Sequence, residues 1–232
     1  MYDKNMIESA VVGYDGNNVS VNRWDGIPGL MKFNKILNTK FCNSIVSYFD
    51  NQDSFLNSKI ISNKYYSELS LNNEWNVNIR SIIDELDKDL EKIMEHYYNW
   101  FIDADEHYSS SEIKERHFDL YNRCDKFSIR KYKINSKQPK PHHDFDNSPD
   151  NLFRQLSVIF YLNDVNKGGE ELFQVDPDID IAFIKPRIGD ILIFPSNFPY
   201  IHTSKPSISD DKYVINTWIT NFYQRYKPKN ND

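Results

Sequence analysis

Beyond Lys126 the chain is cut into short β-type runs by closely spaced prolines and glycines, and this punctuation constrains the fold more than any other feature. The runs 127–134, 155–162, 170–175, 181–185, 190–195 and 213–222 are the strand candidates, with Pro139, Pro141, Gly168, Gly169, Pro177, Pro186, Gly189, Pro195, Pro199 and Pro206 marking breaks or edges. Proline cannot donate to a sheet ladder and glycine weakens one, so both fall where strands end or bend. Many short strands at close spacing predict a sandwich or barrel.

The character of the sequence changes near Cys124. Before it, apolar residues recur at helical spacing. Asn38 and Thr39 are candidate N-caps for a helix over 39–51 that presents Phe41, Ile45, Tyr48 and Phe49 on one side. A longer helix is predicted over about 76–101, where Ile79, Ile82, Ile83, Leu86, Leu90, Ile93, Met94 and Tyr97 form one stripe with acids and lysines opposite. Met31 to Leu37 reads as a strand entering the core. Residues 1–30 read as turns and one edge strand. The fold class expected is mainly β with N-terminal helices that buttress one outer face. The expected organisation is one domain over 1–232, with helical support and N-terminal strands in 1–125, a β core in 126–222 and a polar tail in 223–232.

Composition excludes several functional classes. Aromatics make up 15% of the chain and supply buried area that a modest aliphatic content does not. The net charge is −6 and basic residues are scattered beside acids, so no nucleic-acid footprint is evident. No apolar run approaches the ~20 residues of a membrane span. Cys42 and Cys124 are too few for a disulfide framework or a thiolate zinc site, and two free thiols are expected. Met1 to Ala10 lacks a signal pattern, so a cytoplasmic location is expected. The sequence does not specify an oligomeric state.

The chemistry concentrates in Lys140-Pro-His-His-Asp-Phe-Asp146. In extended backbone, side chains at i and i+2 point the same way, so His142 and Asp144 can grip one ion while His143 points elsewhere. Two histidines and one carboxylate on one face of an octahedron, with open sites opposite, is the non-haem iron(II) arrangement. His202 is the only histidine downstream of Asp144 and is the candidate third ligand. Lys212 opens the apolar run Tyr213-Val-Ile-Asn-Thr-Trp218, where an unpaired ammonium is costly. It reads either as an edge lysine in solvent or as a counter-ion for a dicarboxylate. His107 and His117 lie in the polar stretch 103–124 and read as solvated loop residues rather than ligands.

The ordered set of Tyr132, His142-His-Asp144, Phe160-Tyr161-Leu162-Asn163, Gly168-Gly169-Glu170, Gly189-Asp190-Ile191-Leu192-Ile193-Phe194, His202, Lys212 and Trp218 resembles the prolyl hydroxylase branch of the 2-oxoglutarate- and iron(II)-dependent dioxygenases, in its compact bacterial and viral form. The resemblance covers about 127–222. It implies a double-stranded β-helix, or jelly roll, with His142, Asp144 and His202 as iron ligands and Lys212 paired with the far carboxylate of 2-oxoglutarate. It also implies that Tyr132 and Tyr161 face the cosubstrate pocket and that Trp218 is a pocket-wall aromatic. The sequence departs from the family in three places. The turn 134–138 lacks a frequent glycine. Glu171 stands where a threonine is frequent, which puts a negative charge near the site or in solvent. Asn216 stands where another threonine is frequent.

The function implied is hydroxylation of an unactivated C–H bond, first of all on a prolyl residue of a peptide or protein. The cofactors implied are Fe(II), 2-oxoglutarate as cosubstrate and O2, with ascorbate as a possible accessory. Retention of Asp144 argues against a halogenase. Three alternatives stay open: a hydroxylase of a free amino acid or other small molecule, a cupin-like metal enzyme without 2-oxoglutarate, and a non-catalytic metal-binding module.

Overall fold

The computed structural model describes residues 6–12, 18–24, 27–53, 60–71, 76–103, 124–145, 154–176 and 179–220. In chain order the elements are β1 (Met6–Val12), β2 (Asn18–Trp24), β3 (Met31–Phe33), α1 (Thr39–Asp53), β4 (Ile61–Ser62), β5 (Ser67–Ser70), α2 (Val77–Asp103), β6 (Ser128–Tyr132), β7 (Arg154–Tyr161), β8 (Glu171–Asp176), β9 (Ile179–Ile184), β10 (Ile191–Pro195), β11 (Ile201–Ser204) and β12 (Lys212–Thr220). The strands form a nine-stranded sheet in the order β1-β2-β3-β10-β7-β12-β6-β5-β4 and a three-stranded sheet in the order β11-β8-β9. All the pairings are antiparallel.

Both helices start on capping asparagines. The Asn38 side-chain carbonyl accepts from Lys40 N at 2.8 Å, and that of Asn76 accepts from Asn78 N at 2.9 Å and Ile79 N at 3.3 Å. Each cap satisfies amides that the first helical turn leaves without an internal partner. The predicted α2 stripe is buried at Ile79, Ile82, Leu86, Leu90, Ile93, Met94 and Tyr97, all within one core cluster. The Tyr97 hydroxyl donates to Gly29 O at 2.9 Å and ties the helix to the segment before β3.

The central strands are apolar at almost every position because they are buried on both faces, and strand alternation sorts them into two cores. Ile191 and Ile193 of β10, Val158 and Phe160 of β7, and Tyr213 and Ile215 of β12 join the cluster that includes α1 and α2. Their neighbours Leu192, Phe194, Ile159, Tyr161 and Val214 join Tyr132, Phe173, Ala182 and Ile184 in a second cluster that spans the two sheets. The functional side chains fall on this second face.

Residues 1–30 hold more regular structure than the sequence indicates. β1 and β2 pair over their full length, and β2 continues the sheet through β3. Their order comes from pairing across the sheet rather than from a strong local pattern. The short strands β4, β5 and β11 likewise exist through their neighbours. The stretches 104–123 and 146–153, including His107 and His117, lie outside the described residues. Among the described residues no helix is long and apolar enough to cross a membrane.

Gly189 shows a close backbone approach. Its φ is 83°, and a Cβ there would lie 2.5 Å from Leu37 O. Its own carbonyl accepts from Ile36 N at 2.8 Å and Leu37 N at 3.0 Å. Gly189→Ala is expected to destabilise the fold by about 1–3 kcal/mol, read as a lower midpoint in urea unfolding.

The two thiols are free. Burial pushes Cys42 up to about 11 and Cys124 upward too. A thiolate is the reactive species, so neither should react with a chromogenic disulfide reagent at pH 8 until the protein is denatured. Rapid labelling of the native protein would contradict this.

Candidate metal centre and active site

His142 lies in the extended segment before β7, and His202 lies in β11. The two form a bridge outside the regular ladders. His142 N donates to His202 O at 3.0 Å, and His202 N returns the bond to His142 O at 2.8 Å. Residues opposed in this way carry side chains on the same face, and the two rings lie 4.6 Å apart between centroids. Each Nδ1 faces a backbone carbonyl, Lys140 O at 2.9 Å for His142 and Tyr200 O at 3.2 Å for His202. A carbonyl only accepts, so Nδ1 carries the proton and Nε2 offers its lone pair. Phe173 and Phe194 pack against the His202 ring and fix its orientation.

Asp144 completes the cluster. Its Oδ1 is 3.7 Å from His142 Nε2, and its Oδ2 is 3.9 Å from His202 Nε2. Both distances are too long for hydrogen bonds. The three candidate ligand atoms all lie within 4.8 Å of one another, so one ion can reach them together. Asp144 Oδ2 accepts from Ser157 Oγ at 2.6 Å and Trp218 Nε1 at 3.0 Å, which leaves Oδ1 as the freer oxygen. Burial alone would raise the Asp144 carboxyl. His202, the bonds from Ser157 and Trp218, and His142 outweigh burial and hold it below the usual carboxylate range. Burial, then His202, pushes the His142 imidazole down, so it is neutral and able to ligate at neutral pH. Two neutral imidazoles, one carboxylate and space beside them suit a divalent metal with open positions.

The cluster opens on a cavity of about 250 Å³ whose wall includes Tyr132, Glu171, Ser204 and Lys212. Lys212 is 2% exposed. Its Nζ donates to Ser204 Oγ at 2.9 Å and Gly169 O at 3.2 Å, lies 3.8 Å from Glu171 Oε2, and sits 4.9 Å from the Tyr132 ring centroid. Burial pulls its pKa down, against the opposing effect of Glu171 and Glu170. Lys212 is therefore no edge lysine in solvent.

Six of the seven residues singled out in the sequence meet here, in two roles. His142, Asp144 and His202 form the candidate metal cluster, with Trp218 bonded to Asp144 behind it. Tyr132 and Lys212 line the cavity. Tyr161 is fully buried with its hydroxyl unpartnered, in the core between the sheets, and does not line the cavity. His143 stands outside the cluster. Glu171, whose sequence position left solvent or site open, is 5% exposed and lines the cavity. Ser157 and Ser204 were not singled out. A serine amid Leu156, Val158 and Ile159 is the signal that could have nominated Ser157, since a buried hydroxyl needs a partner.

Residues 127–220 match the family described as the 2OG-Fe(II) oxygenase superfamily. Within it, the resemblance is to the prolyl hydroxylases. The Arabidopsis thaliana protein named "Probable prolyl 4-hydroxylase 9" is 30% identical over a 115-residue alignment covering 40% of this chain and 40% of that protein. The chain thus spans well under half the length of the curated relative it matches. A prolyl-4-hydroxylase of Pseudomonas putida superposes with a TM-score of 0.59 at 11% identity, over 84% of this chain and 93% of the other. A viral collagen prolyl hydroxylase from Paramecium Bursaria Chlorella virus-1, in complex with 2OG, gives 0.55 at 15% identity, over 85% and 98%. A Trichoplax adhaerens prolyl hydroxylase bound to a peptide fragment of hypoxia inducible factor gives 0.58 at 16%, over 84% of each chain. At these identities the likeness is one of fold, the double-stranded β-helix.

Partners that orient a ligating carboxylate typically contribute 10- to 100-fold in metal affinity. Ser157→Ala and Trp218→Phe are each expected to weaken Mn(II) binding by about that factor, measured by calorimetry. His143→Ala should leave it unchanged.

Proposed function

We propose that this chain is an Fe(II)- and 2-oxoglutarate-dependent dioxygenase that hydroxylates a prolyl residue in a peptide or protein. The observation that carries this reading is the convergence of His142, Asp144 and His202 on a cavity that also contains a buried lysine. A metal hydrolase needs the first feature but gives no reason for the second. A dicarboxylate that chelates a metal at one end needs a cation for the other, and Lys212 supplies it. The metal would be held by His142 Nε2, Asp144 Oδ1 and His202 Nε2. With 2-oxoglutarate and O2 it supplies oxidative decarboxylation to succinate and CO2, coupled to insertion of one oxygen atom into a C–H bond.

The chain's own residues do the positioning. The backbone bridge between His142 and His202 fixes both imidazoles in one frame. Ser157 and Trp218 hold Oδ2 of the carboxylate, so that Oδ1 would be free to ligate the ion. Ile159 and Val214 add apolar surface to an otherwise largely polar cavity wall. A prolyl substrate is favoured by the names of the curated relative and of the solved structures, and a peptide by the bound fragment in the Trichoplax protein.

The test is succinate formation by the Fe(II)-loaded protein, with and without proline-containing peptides, and a peptide mass gain of one oxygen atom. His142→Ala or His202→Ala should abolish both signals. Succinate without any peptide gain across a broad panel would move the substrate to a small molecule, and no succinate at all would remove 2-oxoglutarate from the reading. Lys212→Ala should weaken 2-oxoglutarate binding by roughly 30-fold to several thousand-fold, since breaking a desolvated charge pair costs roughly 2–5 kcal/mol. Metal affinity should be retained.

A further inference from the structure

Lys212 already has a carboxylate partner. Glu171 on β8 and Ser204 on β11 face each other directly across the strand pair. The Ser204 hydroxyl donates to Glu171 Oε2 at 2.5 Å and accepts from Lys212 Nζ at 2.9 Å. Glu171 Oε2 is itself 3.8 Å from Nζ, and both side chains are almost fully buried, at 7% and 2% exposed. The other cation lining the cavity, Arg130, is bound to Glu68 at 2.6 Å. The far end of the cavity therefore carries one positive and one negative charge, bridged by a hydroxyl.

We infer that Glu171 is a specificity-determining residue of the cosubstrate site: it competes with the far carboxylate of an incoming 2-oxo acid for Lys212 and weakens binding of 2-oxoglutarate. This rests on the cosubstrate reading proposed above. A carboxylate brought to Lys212 meets a like charge a few ångströms away with little water to screen it, and such juxtaposition is strongly unfavourable. A 2-oxo acid without a far carboxylate meets no such charge. Glu171 thus narrows the margin by which the cavity prefers a dicarboxylate, through repulsion rather than through lost attraction.

The test is calorimetric titration, without oxygen, of the full-length metal-loaded protein with 2-oxoglutarate and, separately, with 2-oxobutyrate, which shares the chelating end but lacks the far carboxylate. Glu171→Gln keeps the shape and an acceptor for Ser204 while removing the charge. It is expected to tighten 2-oxoglutarate binding by about tenfold or more and to leave 2-oxobutyrate within about twofold. Glu171→Thr, which is shorter, should move 2-oxoglutarate in the same direction and guards against misfolding of the first variant. Unchanged or weaker 2-oxoglutarate binding in both variants, or equal tightening of both acids, would overturn the inference and leave the cosubstrate reading standing. If no 2-oxo acid binds wild type or either variant, the cosubstrate reading itself fails and takes this inference with it. Binding by a Glu171 variant but not by wild type would support it most strongly.

Discussion

Strand β12 is paired along both edges, to β6 and β7, and the rest of the molecule is arranged around that double pairing. One of its faces, with Tyr213, Ile215 and Ile219, belongs to the core that contains the helices. The other carries Lys212, Val214 and Asn216 into the cavity and Trp218 to Asp144. Because side chains alternate strictly, a slip of one residue would drive the lysine into the helix-side core and take the indole away from the carboxylate. The register that buries the core is therefore the register that assembles the site. Trp218 stands opposite Ser157 in this ladder, and both reach the same oxygen of Asp144.

Buried charge is the main cost of such a site, and the two charged centres meet it differently. Asp144 is surrounded by donors and by imidazoles, so ionisation is favoured despite burial. Lys212 has a carbonyl, a hydroxyl and a carboxylate, and burial still dominates. A buried ion pair gives little net stability over an apolar pair, while loss of one partner is costly. The Lys212–Glu171 arrangement is thus weakly justified as a stabilising device. Its position in the cavity gives it a chemical consequence instead.

Much of this was legible in the sequence, for identifiable reasons. Periodicity over 76–101 yields α2 because its stripe is long and its cap is a local signal at Asn76. The runs at 155–162, 190–195 and 213–222 yield β7, β10 and β12 to within a residue or two at most ends, because strands buried on both faces are apolar throughout. The spacing of His142 and Asp144 suggests a shared direction, and their side-chain tips lie 3.7 Å apart. What was not legible depends on partners far away in the chain. β1 and β2 form by pairing with each other and with β3, and β11 by pairing with β8. The surroundings of Glu171 stay open between site and solvent in the sequence, since nothing local says whether the second glutamate after two glycines faces solvent or a lysine from another strand. Tyr161 illustrates the converse: strand alternation puts it on the site's face with Ile159, as the family position implies, but packing between the sheets buries its ring away from the cavity wall.

The cavity also draws on residues outside the stretch that matches the oxygenase family. Tyr65 and Tyr66 line it from the N-terminal half. Tyr66 packs against Tyr132 with ring centroids 5.3 Å apart and lies under the Arg130 guanidinium at 4.5 Å. Glu68, on the strand β5 that follows directly, anchors the Arg130 guanidinium at 2.6 Å. A strand of four residues has little stability of its own, so β5 is held by its ladders to β6 and to the two-residue edge strand β4, and by these contacts. The dependence runs both ways. Without β5 and the residue before it, Arg130 would lose its counter-ion and one of its aromatic faces, and Tyr132 would lose a ring contact. The N-terminal half is therefore part of the site's wall as well as its support.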